Sequence, residues 1–244
     1  MTDKFDYFIG IDWSGAKGKF HKGISVAVTH NDKEIELVKP PSNYWSRDEV
    51  FKYLIQKINS GRILLGIDFA FSYPFNDKGS YFPNGPIDQP RNVQDLWKNI
   101  NSISQHEADF YGGSIWNHKE YKEYYNSPYN KGNLYFSRRR LTELHAKKYR
   151  SPSPTFNCVG PSSVGTGSLA GMRFLYKLKK YLTDKIAIWP FDDYRKVKRS
   201  GIVIVEIFPS IYFHIANQNS VKKKGRERLL LRNTLRYFKQ SYSE

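Results

Sequence analysis

The chain has 244 residues, one cysteine, 39% hydrophobic and 16% aromatic side chains, and a net charge of +16. That length suits one compact domain, which removes roughly 70–75% of its unfolded surface from water without needing a disulfide or a structural metal. The composition excludes wholesale disorder, a disulfide framework and any multi-cysteine zinc site. No apolar run approaches the ~20 residues of a membrane span, and the polar start MTDKFD lacks a signal-peptide core, so a soluble, cytoplasmic protein without a membrane partner is expected.

Tyr7 to Asp12 is a short apolar run ending in an acid, and predicts a buried strand. Ile24 to Val28 and Glu34 to Val38 follow with short separators, so the three runs predict an antiparallel meander. Ser46-Arg47-Asp48-Glu49 is a capping box that opens a helix, with Val50, Phe51, Leu54, Ile55 and Ile58 on one stripe. Gly61 is placed to end that helix as a C′ glycine. Ile63 to Asp68 predicts a second buried strand with the same ending as the first: an apolar residue, Gly, Ile, Asp.

From about 73 to 160 the chain carries seven prolines and a run of tyrosines among polar residues, and predicts an insertion into a single domain spanning 1–244. A helix is expected near Val93–Ser104. Tyrosines 111, 121, 124, 125, 129 and 135 serve either as the core of the insertion or as stacking platforms for unpaired bases. Gly165-Thr166-Gly167-Ser168 leads into a helix from about Leu169 to Leu182, as a plain N-terminus or as a phosphate cradle. Ile202 to Ile207 is a third buried strand, carrying Glu206 near its end. Val221 to Gln240 predicts a last amphipathic helix with Arg228, Arg232 and Arg236 on one face.

Charge is unevenly spread. The first 122 residues hold 15 basic and 15 acidic side chains, and the rest hold 24 and 8, so the whole excess lies in the second half. A neutral half followed by a basic half points to a polyanionic partner, DNA or RNA. Arg138, Arg139 and Arg140, with the Arg228, Arg232 and Arg236 face, are the candidate phosphate contacts.

The element order, three strands, helix, strand, insertion, helix, strand and helix, is that of the ribonuclease H-like α/β fold, a mixed sheet flanked by helices. The motifs Gly10-Ile11-Asp12-Trp13-Ser14-Gly15, Gly66-Ile67-Asp68-Phe69-Ala70-Phe71-Ser72-Tyr73-Pro74, Val164 to Gly171, Ile188-Trp189-Pro190-Phe191-Asp192 and Val205-Glu206-Ile207-Phe208-Pro209 lie in that order. Over Phe8 to Ser210 they resemble the predicted-nuclease family known as domain of unknown function 429. The resemblance implies a nuclease of ribonuclease H-like fold. Nucleases of this fold often draw a further acid from the final helix, where this chain offers Glu227.

The residues support the same chemistry by themselves. A carboxylate at the end of an apolar strand is costly unless it is paired or bound to a cation. If the Asp12 and Asp68 strands are neighbours, their carboxylates stand side by side and suit a hard divalent ion, Mg²⁺ or Mn²⁺. Glu206 is the first choice for a third catalytic and metal-holding acid, with Asp192 and Asp193 as alternatives. Ser14 and Ser72 either line that site or face solvent in turns. The six histidines fit no ligand spacing. Two other functions fit the same fold: a nucleic-acid-binding module without catalysis, and an actin-like phosphotransfer protein. Bulky Phe69 and Phe71, where a second phosphate loop wants glycine, weigh against the latter.

Overall fold

The computed structural model describes residues 4–30, 33–160 and 163–211. They form β1 (Tyr7–Asp12), β2 (Ser25–His30), β3 (Glu36–Leu37), α1 (Arg47–Lys57), β4 (Ile63–Asp68), α2 (Val93–Ile103), α3 (Leu141–Ala146), α4 (Gly165–Leu182), β5 (Ile186–Trp189), α5 (Tyr194–Arg199) and β6 (Ile202–Glu206). The expected last helix, with Glu227, Arg228, Arg232 and Arg236, lies outside the described residues, as does His214. Among the described residues no helix is long and apolar enough to cross a membrane.

The chain divides into two compact units. One is built from Met1–Trp13, Phe20–Asp68 and Leu178–Glu244, and the other from Ser14–Lys19 and Phe69–Lys177. The second unit is thus larger than the expected insertion and includes most of α4.

The first unit holds an α/β arrangement: one six-stranded mixed sheet, ordered β3-β2-β1-β4-β6-β5 and flanked by helices. β1, β2 and β3 pair antiparallel, as short connections allow. β1 with β4, β4 with β6, and β6 with β5 pair parallel. Parallel strands are covered on both faces and read as continuous apolar runs. Accordingly Ile9, Ile11, Leu65, Ile67 and Ile204 are fully buried on one face. Phe8, Ala27, Leu64, Val203, Val205 and Ile207 form a cluster on the other, against which Val197 of α5 packs.

Local chemistry sets the helix ends. Ser46 Oγ accepts from Glu49 N at 3.1 Å, and Glu49 Oε2 accepts from Ser46 N at 2.8 Å, the reciprocal capping box that the sequence predicts. Gly61 does not cap α1, which ends at Lys57 with Ile58 as C-cap. It adopts φ +141°, and a Cβ there would stand 2.8 Å from Asp6 Oδ2. Glycine serves the turn into β4, where Asp6 accepts from Arg62 N at 2.7 Å.

The second unit is organised around aromatic side chains. Tyr73 stacks on Phe156 at 4.3 Å, and the Tyr125 hydroxyl donates to that of Tyr73 at 3.0 Å. Phe82 meets Tyr121 and Tyr124 edge to face or tilted. Four of the six tyrosines singled out, Tyr111, Tyr121, Tyr124 and Tyr125, are buried core, whereas Tyr129 is exposed. The first turns of α4 are closed by backbone contact: a Cβ on Gly15 would lie 2.2 Å from Gly167 N, and one on Gly171 2.3 Å from the Phe69 ring. Gly171→Ala is expected to destabilise the protein by about 1–3 kcal/mol through overpacking. A urea unfolding midpoint equal to wild type would show that Phe69 yields freely.

Candidate active site

Asp12 ends β1 and Asp68 ends β4, and the two are direct register partners on adjacent parallel strands. Residues in register share a face, so both carboxylates stand on the face of Phe8 and Leu64, at the carboxyl end of the sheet. Ligands of open α/β sheets collect at that end. The repeated Gly-Ile-Asp ending therefore places two acids together, as the sequence predicts.

Glu206 is placed differently. It is the register partner of Ile67, one step short of Asp68. The alternation of side chains assigns Glu206 to the face opposite the aspartates and Ile207 to theirs. The packing agrees: a Cβ on Gly66 would lie 2.8 Å from Ile207 Cγ2. Among the described residues, no group of three or more His, Cys, Asp or Glu side chains is arranged to hold a metal ion. The structure brings Asp12 and Asp68 together; Glu206 stands nearby without joining them.

The electrostatics follow from this crowding. Burial, then the Asp12 carboxylate, then Glu206, push the Asp68 carboxyl well above its ordinary 3.8, although the residue keeps partial contact with solvent. Glu206 thus acts on Asp68 through its field. Both groups are carboxylates, whose hard oxygen donors suit an ion such as Mg²⁺ or Mn²⁺.

The alternative acids have structural work. Asp192 accepts from Ile188 N at 2.8 Å and from Lys179 Nζ at 2.6 Å, with Lys196 Nζ at 3.8 Å. Asp193 is the N-cap of α5, accepting from Lys196 N at 2.9 Å. Ser72 is buried and donates to Tyr73 O, while Ser14 accepts from Ala16 N. Ser168 Oγ donates to Val164 O at 2.8 Å and accepts from Ala70 N at 3.2 Å. With Gly15 against Gly167, the start of α4 is a packed junction, not an open cradle. Cys158 is buried, and burial pushes its thiol up to about 12, so it is no nucleophile.

The three consecutive arginines are mostly occupied internally. Arg138 is 5% exposed; its guanidinium binds both Asp77 carboxylate oxygens and the carbonyls of Pro74, Ser80 and Tyr81. It pins the 74–81 loop and has no surface left for phosphate. Arg140 pairs with Glu143 at 2.9 Å and is half-buried, and Arg139 donates to Pro152 O.

Two elements went unread in the sequence, β5 and α5. The apolar run of β5 is only four residues long. The signal for α5 was present in Asp193, an N-cap residue before Tyr194-Arg195-Lys196-Val197-Lys198-Arg199.

Comparison with protein-family models, curated proteins and solved structures finds no match to this chain. The resemblance read from the motifs stands on those residues alone.

Two outcomes follow from this geometry. A carboxyl held above its ordinary range keeps its proton in the folded chain when the unfolded chain has lost it. Stability then falls as pH rises from 3.8 through the raised value. In EDTA, Asp68→Asn is expected to raise the melting temperature at pH 7–8 by about 2–4 °C for each kcal/mol of penalty removed. That gain should vanish below pH 3.8, and parallel pH profiles for the two proteins would contradict the crowding. Arg138→Ala is expected to cost about 3 kcal/mol or more in urea unfolding, because a carboxylate and three carbonyls lose their donor. Arg139→Ala should cost under about 1 kcal/mol; similar losses for both would contradict the different placing of the two side chains.

Proposed function

We propose that the protein is a divalent-metal-dependent nuclease of ribonuclease H-like fold, hydrolysing phosphodiester bonds of DNA or RNA. The observation that carries this reading is the register pairing of Asp12 with Asp68 at the carboxyl ends of adjacent parallel strands. The meander followed by parallel strands, and the motifs along Phe8 to Ser210, support it.

Asp12 and Asp68 would hold Mg²⁺ or Mn²⁺, an ion commonly bound by one or two carboxylates with water and substrate phosphate completing its shell. When bound, such an ion makes a water nucleophilic near neutral pH and offsets charge on the phosphate. Glu206 adds negative potential from the opposite face, which favours a cation beside Asp68. Phe69 and Phe71, directly after Asp68, are buried aromatic residues, which argues against a phosphate loop of the actin-like kind. The lack of a third grouped acid among the described residues is the observation that favours the second reading, a nucleic-acid-binding module without catalysis.

Purified wild type, Asp12→Asn and Asp68→Asn, incubated with single- and double-stranded DNA and RNA in Mg²⁺, Mn²⁺ or EDTA, separate these readings. Cleavage by wild type in metal, and its loss by at least about 100-fold in both variants, is expected. Thermal stabilisation by Mg²⁺ should likewise appear in wild type and disappear in both. Equal cleavage by all three proteins would reject the assigned acids. Binding without cleavage under every condition would favour the module.

A further inference from the structure

On the reading that the partner is nucleic acid, we infer that the β5–α5 segment is its single-strand contact surface, with Trp189 and Tyr194 stacking on unpaired bases and Arg195 and Lys198 meeting phosphates. Trp189 is 47% exposed and Tyr194 62% exposed, whereas the other four tryptophans, Trp13, Trp45, Trp97 and Trp116, are buried. Tyr194 opens α5, whose six residues carry Arg195, Lys196, Lys198 and Arg199. Lys196 is drawn toward Asp192, but Arg195, Lys198 and Arg199 are exposed. The Lys198 ammonium lies 4.8 Å from the Tyr194 ring centroid, so a cation and an aromatic ring are presented together. Asp192 is tied to Lys179, and Asp193 caps α5 with its exposed carboxylate in the field of Arg195 and Arg199, so the four cations of α5 outnumber the two acids beside them.

Position relative to the acids supports the assignment. Trp189 is the register partner of Val205, which is in turn the partner of Gly66. Gly66 lies two residues before Asp68, so Trp189 shares the face of the aspartates, one row back and two strands away. Strand spacing and rise put that separation at about 12 Å, a span of two or three nucleotides of single strand. Val197 of α5 packs against the cluster of Phe8, Leu64, Val203 and Val205 on that same face. The aromatic rings, the cations and the two carboxylates therefore belong to one side of one sheet. Bases in a duplex are already stacked, so exposed rings of this kind select unpaired strands.

The test uses the full chain in EDTA, so that no cleavage occurs, with fluorescein-labelled oligo-dT, oligo-rU and a blunt DNA duplex followed by anisotropy across salt. Trp189→Ala and Tyr194→Ala are expected to weaken single-strand binding about tenfold each, with little effect on the duplex. Trp189→Phe should recover most of the loss. Arg195→Ala/Lys198→Ala should weaken both classes and reduce the salt slope by about 2. Wild-type single-strand binding left unchanged by the aromatic variants overturns the assignment while the nucleic-acid reading stands. Equal losses on duplex and single strand overturn the stacking role. Displacement of oligo-dT from wild type by poly-glutamate as well as by unlabelled oligo-dT makes the patch a general anion surface and also overturns it. Wild type that binds none of the probes rejects the nucleic-acid reading itself.

Discussion

The register between β1 and β4 is the constraint on which the rest of the first unit depends. Tyr7 pairs with Ile63 and each following residue with its counterpart, ending at Asp12 with Asp68. With a side-chain period of two, a slip of one residue would turn one whole strand over. It would send Ile9 and Ile11, or Leu65 and Ile67, off their buried face and drive a carboxylate into it. Each such side chain contributes about 1.5–3 kcal/mol when fully buried. Two carboxylates about 5 Å apart repel by about 3 kcal/mol at an effective dielectric of 20. The four apolar side chains outweigh that repulsion, so the sheet fixes the acids side by side in spite of their charge. Burial first, and then the Asp12 charge beside it, make the Asp68 carboxyl hold its proton more tightly.

Features set by near neighbours in sequence were legible; features set by register between distant segments were not. The buried strands announce themselves by short apolar runs, and Ser46 and Glu49 close a capping box within one turn. The ending shared by Asp12 and Asp68 becomes a shared face because their strands are adjacent and parallel. Glu206 also ends an apolar run, and the sequence therefore grouped it with them. Its face depends on pairing Ile67, and not Asp68, opposite it. No local signal carries that parity. Gly61 misled for a related reason: its positive φ serves contact with Asp6, which is remote in sequence.

Charge gave a second lesson of the same kind. Arg138, Arg139 and Arg140 were the densest cations visible in the described part of the chain, yet Arg138 is buried on Asp77, 61 residues away, and Arg140 is tied to Glu143. Arginine suits such places because one planar guanidinium satisfies several acceptors at once. Arg173 does the same in the second unit, donating to Tyr111 O. A sequence tallies all these as positive surface. The structure moves Arg138 inside and ties Arg140 to Glu143, while Arg195, Lys198 and Arg199 of α5 stand exposed.

That redistribution bears on how an acid pair and a polyanion can coexist. On the proposed reading, the cations of α5 would attract phosphates to the same face on which Asp12 and Asp68 repel them. Trp189, which leads into α5, stands about 12 Å from Asp68, somewhat more than one Debye length in physiological salt, so a strand stacked there lies largely outside the field of the acids. A strand can therefore be held at α5 while the carboxylates keep its phosphates at a distance. Only a cation between Asp12 and Asp68 removes the repulsion at that spot. On the proposed reading, binding and cleavage thus draw on different charges of one face. Binding rests on α5 and needs no metal, whereas approach of a phosphate to the acid pair requires that pair to be neutralised first.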